Sequence, residues 1–411
     1  MKGKVLIVGG GAMGTCIAMQ VASRCDPLRD PVILIEKGRL GSGSSGRAGA
    51  IVHQSYSDRE VAGMARDAVR LYHDIQSTTG RSLGLRRTGV LTVVDASDGE
   101  ALAQMDKDLE MQLSIGIKVR RVDSAEIRQL CPGIEIADDT VGRFEAEGGY
   151  VNPAKAIKTF GVLARGRGAT TRLGVQDLDI KVENGKVRGV HTSEGFFETP
   201  NVVLATGSWT ATILKKMGVD LPLSVVRSEE CVLDMPKGQA GDDHLSEFDG
   251  PVADIETRFK QDPLELMPVP HPVLLDLSSG FHAHCEPHTN QTRVGRSGHS
   301  AFRMVNDLAN LDKQASPEFL DWAFEILGKR MPIYKDMGVS GSLAHYTAVS
   351  SDHRPIVGPV TGIEGLFMVV GFSGSDFHLA PSIGEGMAQM ILGEPVSAFT
   401  PEFFSATRFE S

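Results

Sequence analysis

The chain has 411 residues, 41% of them hydrophobic and 23% charged, with a formal net charge of −10. This length and ordinary globular composition point to two intimately packed domains with room for a large core. The acidic balance and the lack of a basic cluster exclude a nucleic-acid partner, and the apolar run in MKGKVLIVGGG is only four residues long, which predicts no signal peptide and no membrane span.

Residues 4–8, KVLIV, read as a strand, and from Ala12 to Ser23 the apolar Met13, Ile17 and Val21 recur near helical spacing. PVILIE at 31–36 is a second apolar run, so the chain opens with a βαβ unit whose strands should be parallel and buried. Val61, Met64, Ala68, Leu71 and Ile75 predict a helix over 59–76, and GVLTVV at 89–94 a strand. DLEMQLSIGI and SAEIRQLCP read as helices, the second stopped by Pro132, and AKAIKTFGVLARGRG as another. Residues 177–207 predict three short strands with an Asn184-Gly185 turn. The polar stretch 236–263 is expected to be a surface loop or lid. EFLDWAFEILGKRMP (318–332) predicts an amphipathic, core-facing helix, GLFMVVGF (365–372) a buried strand and SIGEGMAQMILGE (382–394) a closing helix. The five scattered cysteines, Cys16, Cys25, Cys131, Cys231 and Cys285, form no CxxC pattern and suit reduced thiols in a cytoplasmic protein.

Between the first strand and helix lies GGGAMG, which holds Gly9-x-Gly11-x-x-Gly14 with Ala12 and Met13 inside it. Glycines there allow a tight turn, close backbone approach to a pyrophosphate and close helix packing, and the helix N-terminus offers unpaired N–H groups to the anion. Glu36 ends the next strand 22 residues after Gly14, where an acid accepts hydrogen bonds from a ribose, with Lys37 beside it. GSGSSGRAG at 41–49 follows, and VVLATGSWT later ends a strand at Ala205 and Gly207. Three glycine-rich approaches suit a long, bent dinucleotide, FAD rather than NAD.

VLIVGGGAMG, GSGSSGRAGAIVHQSYS, EGGYVNP, VVLATGSWT, YTAVSSDHRPIVGP and LFMVVGFSGSDFHLAPSIGE occur in the order found in the D-amino-acid oxidase superfamily of FAD-dependent oxidoreductases, and the chain resembles its sarcosine-oxidase-like branch over nearly its whole length. The resemblance implies an α/β fold with an α+β second domain: a discontinuous Rossmann-like FAD domain (1–80, 145–222 and 335–411) and a substrate domain built on a large antiparallel sheet (81–144 and 223–334). It implies that Gly9, Gly11, Gly14 and Glu36 hold the ADP half. Gly43, Ser44 and Ser45, with Arg47, Ala48 and Gly49 after them, lie by the same resemblance near the pyrophosphate or flavin. Val175 touches the adenine, and Gly371, Ser373, Gly374, Ser375, Asp376, Phe377 and His378 lie beside the flavin pyrimidine edge.

Set against the same family, several positions depart from its pattern. His53 stands where monomeric sarcosine oxidases carry a carboxylate-binding arginine, His378 stands at the lysine position, and Tyr56 is kept. Because histidine titrates near neutrality, carboxylate binding is expected to be weaker, pH dependent or absent. Thr347 replaces the arginine of glycine oxidases, which leaves Arg47, Arg227 or Arg354 as substitutes. Ala344 replaces the flavin-linking cysteine, so FAD is expected to be noncovalent, and GGYVNPAKAI lacks the histidine that holds a second flavin. Arg293 falls near the oxygen-activating lysine. His282, His284, Cys285, Glu286 and His288 of FHAHCEPH lack a second ligand pair, so no metal is expected. Trp209 and Tyr346 are expected as packing residues.

The expected function is oxidation of a C–N bond in an amino acid or secondary amine by hydride transfer to FAD, with His378, His53, Tyr56 and Arg293 as catalytic candidates and O2 or another acceptor taking the electrons. A dehydrogenase serving a quinone or protein partner and a noncatalytic flavin-bearing assembly protein remain as alternatives.

Overall fold

Val5–Val8 is buried at every position, because Val5 and Ile7 pack toward helices on one face and Leu6 and Val8 toward a three-stranded antiparallel sheet on the other. It pairs in parallel with Val32–Glu36 on one side and Val202–Leu204 on the other. Thr170–Leu173 extends the sheet beyond Val32–Glu36, Leu366–Val370 beyond Val202–Leu204, and Ile356–Pro359 closes it as an antiparallel edge. The six strands therefore come from three separated stretches of chain. The computed structural model describes residues 1–235, 271–286, 289, 291–298, 303–308 and 311–410, so the expected lid at 236–263 lies outside the described residues.

Helix Ala12–Ala22 is apolar all round and packs between Pro153–Gly166 and Asp376–Leu392. Asp58 caps helix Arg59–Thr79 by accepting from the N–H groups of Glu60 and Val61, and Gly80 ends it at φ +63°. The closing helix begins at Asp376 rather than at 382 and runs through Pro381. Pro381 has no N–H to give the Phe377 carbonyl one turn back, and the Tyr72 hydroxyl donates to that carbonyl at 2.8 Å instead. Sequence periodicity does not register such a tertiary replacement.

Asp179–Glu183, Lys186–Thr192 and Gly195–Glu198 form an antiparallel meander, and Asn184 and Gly185 turn the first hairpin at φ +53° and +73°. A fourth strand, Val202–Leu204, follows Pro200 and joins the parallel sheet, because its three apolar residues suit burial on both faces.

The second sheet has nine strands. Its order is Arg303–Met304, Leu223–Asp234, Gln291–Arg296, Phe281–Glu286, Val273–Asp276, Val90–Val94, Val141–Glu145 and Val119–Val122, with Val339–Ser350 also paired to Leu223–Asp234. Its pairings are antiparallel except for Val273–Asp276 on Val90–Val94. Helix Pro317–Arg330 covers one face through Phe319, Ala323 and Leu327. Val339–Ser350 thus runs in the larger sheet, and we propose the domain boundary at Ser350 rather than before 335. Among the described residues no helix is long and apolar enough to cross a membrane.

Candidate active site

The carboxyl end of Val5–Val8 lies where strands continue on either side, the usual ligand crevice of an open parallel sheet. Gly9 turns the chain there at φ +112°, and a Cβ on it would sit 2.3 Å from the Ala205 carbonyl oxygen. A Cβ on Gly14 would sit 1.8 Å from the Gly9 carbonyl oxygen, so helix Ala12–Ala22 approaches the turn as closely as glycine allows. Glu36 accepts from Gly10 N–H at 2.7 Å through one carboxylate oxygen and from Gly38 N–H at 2.7 Å through the other. A cavity of about 1910 Å³ opens beside these groups.

GSGSSGRAG folds as a turn of 3-10 helix at Ser44–Gly46 on that cavity's wall. Its closure depends on glycine, since a Cβ on Gly46 would meet the Gly41 carbonyl oxygen at 2.0 Å. Ser45 Oγ accepts from Ala12 N–H at 3.3 Å, and Ser44 Oγ donates to the Tyr346 carbonyl at 2.6 Å, which ties the stretch to both domains. At Gly43 a Cβ would meet nothing within 4 Å, so there the open side of the backbone faces the cavity.

A second cavity of about 680 Å³ adjoins the first, and the two share Ser44, Thr347, Phe372 and Asp376. Direct pairing carries one transverse row of the large sheet across its floor: Glu230, Gly295, His282, Leu275, Thr92 and Arg143. Paired residues share a face, which is why residues as far apart in the chain as Thr92 and His282 line one surface. Gly295 leaves room for the His282 ring, whose Cε1 would lie 2.4 Å from a Cβ at that position. The next row contains His284, Arg293 and Glu145, and Tyr150 covers part of it, with its ring centroid 4.9 Å from that of His284.

Over this floor the rings of His53, Tyr56 and His378 cluster. His53 and His378 have centroids 4.2 Å apart, and His53 and Tyr56 5.1 Å apart. The Tyr56 hydroxyl makes a short hydrogen bond with His378 Nδ1, and His53 Nδ1 accepts from Ser55 N–H at 3.1 Å. Burial pushes the Tyr56 phenol up, so it keeps its proton. His53, whose Nδ1 accepts from a backbone N–H, carries its proton on Nε2 when neutral. Burial, aided by His282, pushes His378 down to about 3. Burial with His378, Arg143 and His282 nearby pushes His53 well below its ordinary value. The two histidines are therefore neutral through the physiological range, in contrast to the near-neutral titration expected of them, because the cavity wall strips their water.

Burial also pushes His282 down to about 4 and lowers His345, with Glu230 pulling both the other way. Each of the four histidines is neutral in the fold and protonates near 6.5 when unfolded, so its stability contribution is present above about pH 6.5 and is lost as the pH falls toward the folded values. Asp376, pushed by burial up to about 6, and Glu145, also raised by burial, act in the opposite sense over the lower part of that window. His271 acts in that opposite sense too, because Cys285 and its hydrogen bonds raise it despite burial; with four groups against three, the melting temperature is expected to hold between pH 8 and 7 and to drop by a few degrees by pH 5 in calorimetry. A melting temperature that rises over that interval would contradict this balance.

Residues 4–390 match the family described as FAD dependent oxidoreductase. The chain belongs to this family. Human mitochondrial sarcosine dehydrogenase is 22% identical over 406 residues, which are 95% of this chain and 40% of that protein. The chain spans about 40% of the length of the curated relatives it resembles over most of its length. Among solved structures, L-proline dehydrogenase from P. horikoshii superposes with a TM-score of 0.83 at 22% identity, covering 100% of this chain and 98% of that one. Glycine oxidase from Geobacillus kaustophilus gives 0.79 at 19%, with 99% of each chain covered. These superpositions establish the shared fold.

FAD is the family's cofactor, and the glycine cradle fits it: where a Cβ would fill the approach, glycine stands, and Glu36 is held at the strand end by two backbone N–H groups. Of the residues expected beside it, Gly9, Gly11, Met13, Glu36, Lys37, Gly43, Ser44, Ser45, Arg47, Val175, Ala205, Gly207, Gly371 and Asp376 line the larger cavity. Ala48, Gly49, Ser373, Gly374, Ser375 and Phe377 line the smaller one with His53, Tyr56 and His378. Ala12 and Gly14 line neither and shape the turn from behind. Gly49 spends its N–H on Glu230 at 2.8 Å. Trp209 is 38% exposed on the wall of the larger cavity rather than packed inside, whereas Tyr346 is buried.

Arg293 is not brought together with the other three catalytic candidates. It lines neither cavity, and Glu230 Oε2 and Glu286 Oε1 clamp it at 3.0 Å each. Among the described residues no group of three or more His, Cys, Asp or Glu is arranged to hold a metal ion. Sequence reasoning missed Arg143, Glu230 and His345 on the cavity wall. The one available signal was strand alternation, which puts Arg143 and Glu145 on one face of GRFE without saying which face.

Proposed function

We propose that the chain oxidises the C–N bond of an amino acid or an N-substituted amino acid, with noncovalent FAD as the hydride acceptor. The observation that carries this reading is the cluster of Tyr56, His53 and His378, three neutral rings on the wall of the smaller cavity, which adjoins the larger one. A neutral imidazole N–H and a phenol O–H are donors without charge, fit to orient a polar substrate in a low-dielectric cavity. Gly9, Gly11 and the N-terminus of helix Ala12–Ala22 would hold the cofactor pyrophosphate, Glu36 a ribose, and the N-terminus of helix Asp376–Leu392 would favour negative charge at the flavin edge. None of the five cysteines lines either cavity, which supports noncovalent binding.

The test is anaerobic titration of the holoenzyme with amines, amino acids and N-substituted amino acids, following the flavin absorbance. Bleaching by at least one amino-acid class is expected, and a flavin that no amine reduces would favour the assembly-protein alternative. The clamp on Arg293 favours the dehydrogenase alternative, since two carboxylates neutralise the cation expected to activate oxygen. Admitting air after bleaching separates the two: slow reoxidation is expected of a dehydrogenase, fast reoxidation of an oxidase.

A further inference from the structure

Arg143 is the last residue of the transverse row to line the smaller cavity, with Arg121 paired beyond it, and it is 5% exposed. Its Nη1 is anchored from behind, with Gln112 Oε1 at 3.5 Å and Asp108 Oδ2 at 3.9 Å. Asp108, which also accepts from Ser57 Oγ at 2.8 Å and Gln104 Nε2 at 2.7 Å, supplies a buried counter-charge on the Nη1 side and leaves the Nε edge unfilled. Glu145 faces the same side of the strand two residues on, but it accepts instead from the Gln54 backbone at 2.9 Å, the Gln54 side chain at 2.9 Å and Ser55 Oγ at 3.1 Å. The Nε of Arg143 is buried without a hydrogen-bond partner among the described residues. A buried, charged donor left unpaired is strongly unfavourable, and the Nε edge of a guanidinium has the fork geometry that a carboxylate fills with two hydrogen bonds.

The other arginines on these walls are engaged. Arg227 also has a buried unpaired Nε, but Glu229 meets its charge at 3.1 Å and the Gln314 carbonyl accepts from it at 2.6 Å. Arg354 pairs with Asp352 at 3.0 Å, Arg47 donates to the Ser42 carbonyl at 3.1 Å, and Arg296 lies 3.9 Å over the Trp322 ring. Gln112 also donates to the Tyr56 carbonyl at 3.1 Å, which links the Arg143 anchor to the ring cluster.

We propose that Arg143 is the anion anchor of the substrate site, binding a substrate carboxylate across its Nε edge from the floor of the large sheet. This deepens the amine-oxidation reading and rests on it: the substrate class becomes an amine that carries a carboxylate, gripped by one fixed cation. The two residues at the family's usual gripping positions, His53 and His378, then contribute neutral donors only. Because an arginine does not titrate, the grip is constant across the neutral pH range.

The test needs no turnover. The FAD-loaded enzyme is titrated with acetate, propionate and butyrate, and with the matching amides, while the visible spectrum of the bound flavin is followed. Carboxylates are expected to perturb the spectrum saturably and the amides to bind at least about 100-fold more weakly. Arg143→Gln is expected to raise the carboxylate dissociation constant about 100-fold with FAD content unchanged, and Arg143→Lys to fall between. Should Arg143→Gln misfold by stranding Asp108, Asp108→Asn combined with Arg143→Gln removes both charges and is expected to show the same loss. Carboxylates that bind no better than amides, a double variant that binds carboxylates as the parent does, or variants that lose FAD would each overturn the proposal. A flavin that no amine bleaches would overturn the amine-oxidation reading while leaving the anion titration intact, so the two failures are distinguishable.

Discussion

Replacing Gly14 with alanine is expected to leave a protein that no longer retains FAD through gel filtration. The added methyl carbon would lie 1.8 Å from the carbonyl oxygen of Gly9 and 3.3 Å from the Cβ of Ala205. The first contact is with backbone, so no side chain can swing aside, and the helix must move away from the turn by more than an ångström. That displacement removes the helix N-terminus from the place where the N–H groups meet the pyrophosphate, and it opens the seam between two buried elements. Overpacking of this kind costs about 3 kcal/mol or more, which weakens cofactor binding at least about 100-fold. The measurement is the ratio of flavin to protein absorbance after desalting, together with the melting temperature with and without added FAD. Alanine at Gly43 is the control: a Cβ there meets no protein atom within 4 Å, so the fold should be unaffected and any loss of FAD would report contact with the cofactor itself. Full FAD retention by the Gly14 variant would show that the cradle does not hold the cofactor in this way.

The second large effect is expected at His378. His378→Ala should slow anaerobic flavin reduction on the order of 100-fold under saturating substrate while FAD stays bound, because the residue lines the smaller cavity and not the larger one. The variant also removes a hydrogen-bond partner of the Tyr56 hydroxyl. A buried phenol without its partner costs about 1–3 kcal/mol, so the ring cluster would loosen as well. Tyr56→Phe separates the two contributions, since it deletes the hydrogen bond while leaving the imidazole in place. A His378 variant that reduces at the parental rate would remove this histidine from the mechanism. The pH profile carries an independent mark: with His378 held at about 3 and His53 well below its ordinary value, the parent should show no ionisation of these histidines between pH 6 and 8.

The cofactor cradle was legible in the sequence because its determinants are local. Gly9, Gly11 and Gly14 are spaced for one turn, Glu36 terminates the next buried run, and the steric demands on each are met within a few residues. GSGSSGRAG has the composition of a linker, yet its placement after Glu36 marks it as part of the cradle, and Gly46 closing on Gly41 confirms that it is a shaped turn. The start of the closing helix was not legible, since Pro381 argues for a break and only the Tyr72 hydroxyl, some 300 residues away, compensates for its missing N–H. The three rings were legible only through the family resemblance, which set His53 and His378 at two gripping positions and kept Tyr56.

The two arginines mark the limit. Arg293 and Arg143 both lie on strands, and nothing in TRVG or GRFE tells which one faces the cavity. Strand register decides it. Arg143 falls in the row with Thr92, Leu275 and His282 that floors the cavity, while Arg293 falls one row away, between Glu230 and Glu286. By itself the sequence determined the βαβ opening and the glycine cradle, because short-range sterics and spacing encode them, while the resemblance to the family is what set His53, Tyr56 and His378 at one site. Only the tertiary structure decided which cation faces the cavity and which is neutralised, because that depends on hydrogen-bond register between strands far apart in the chain.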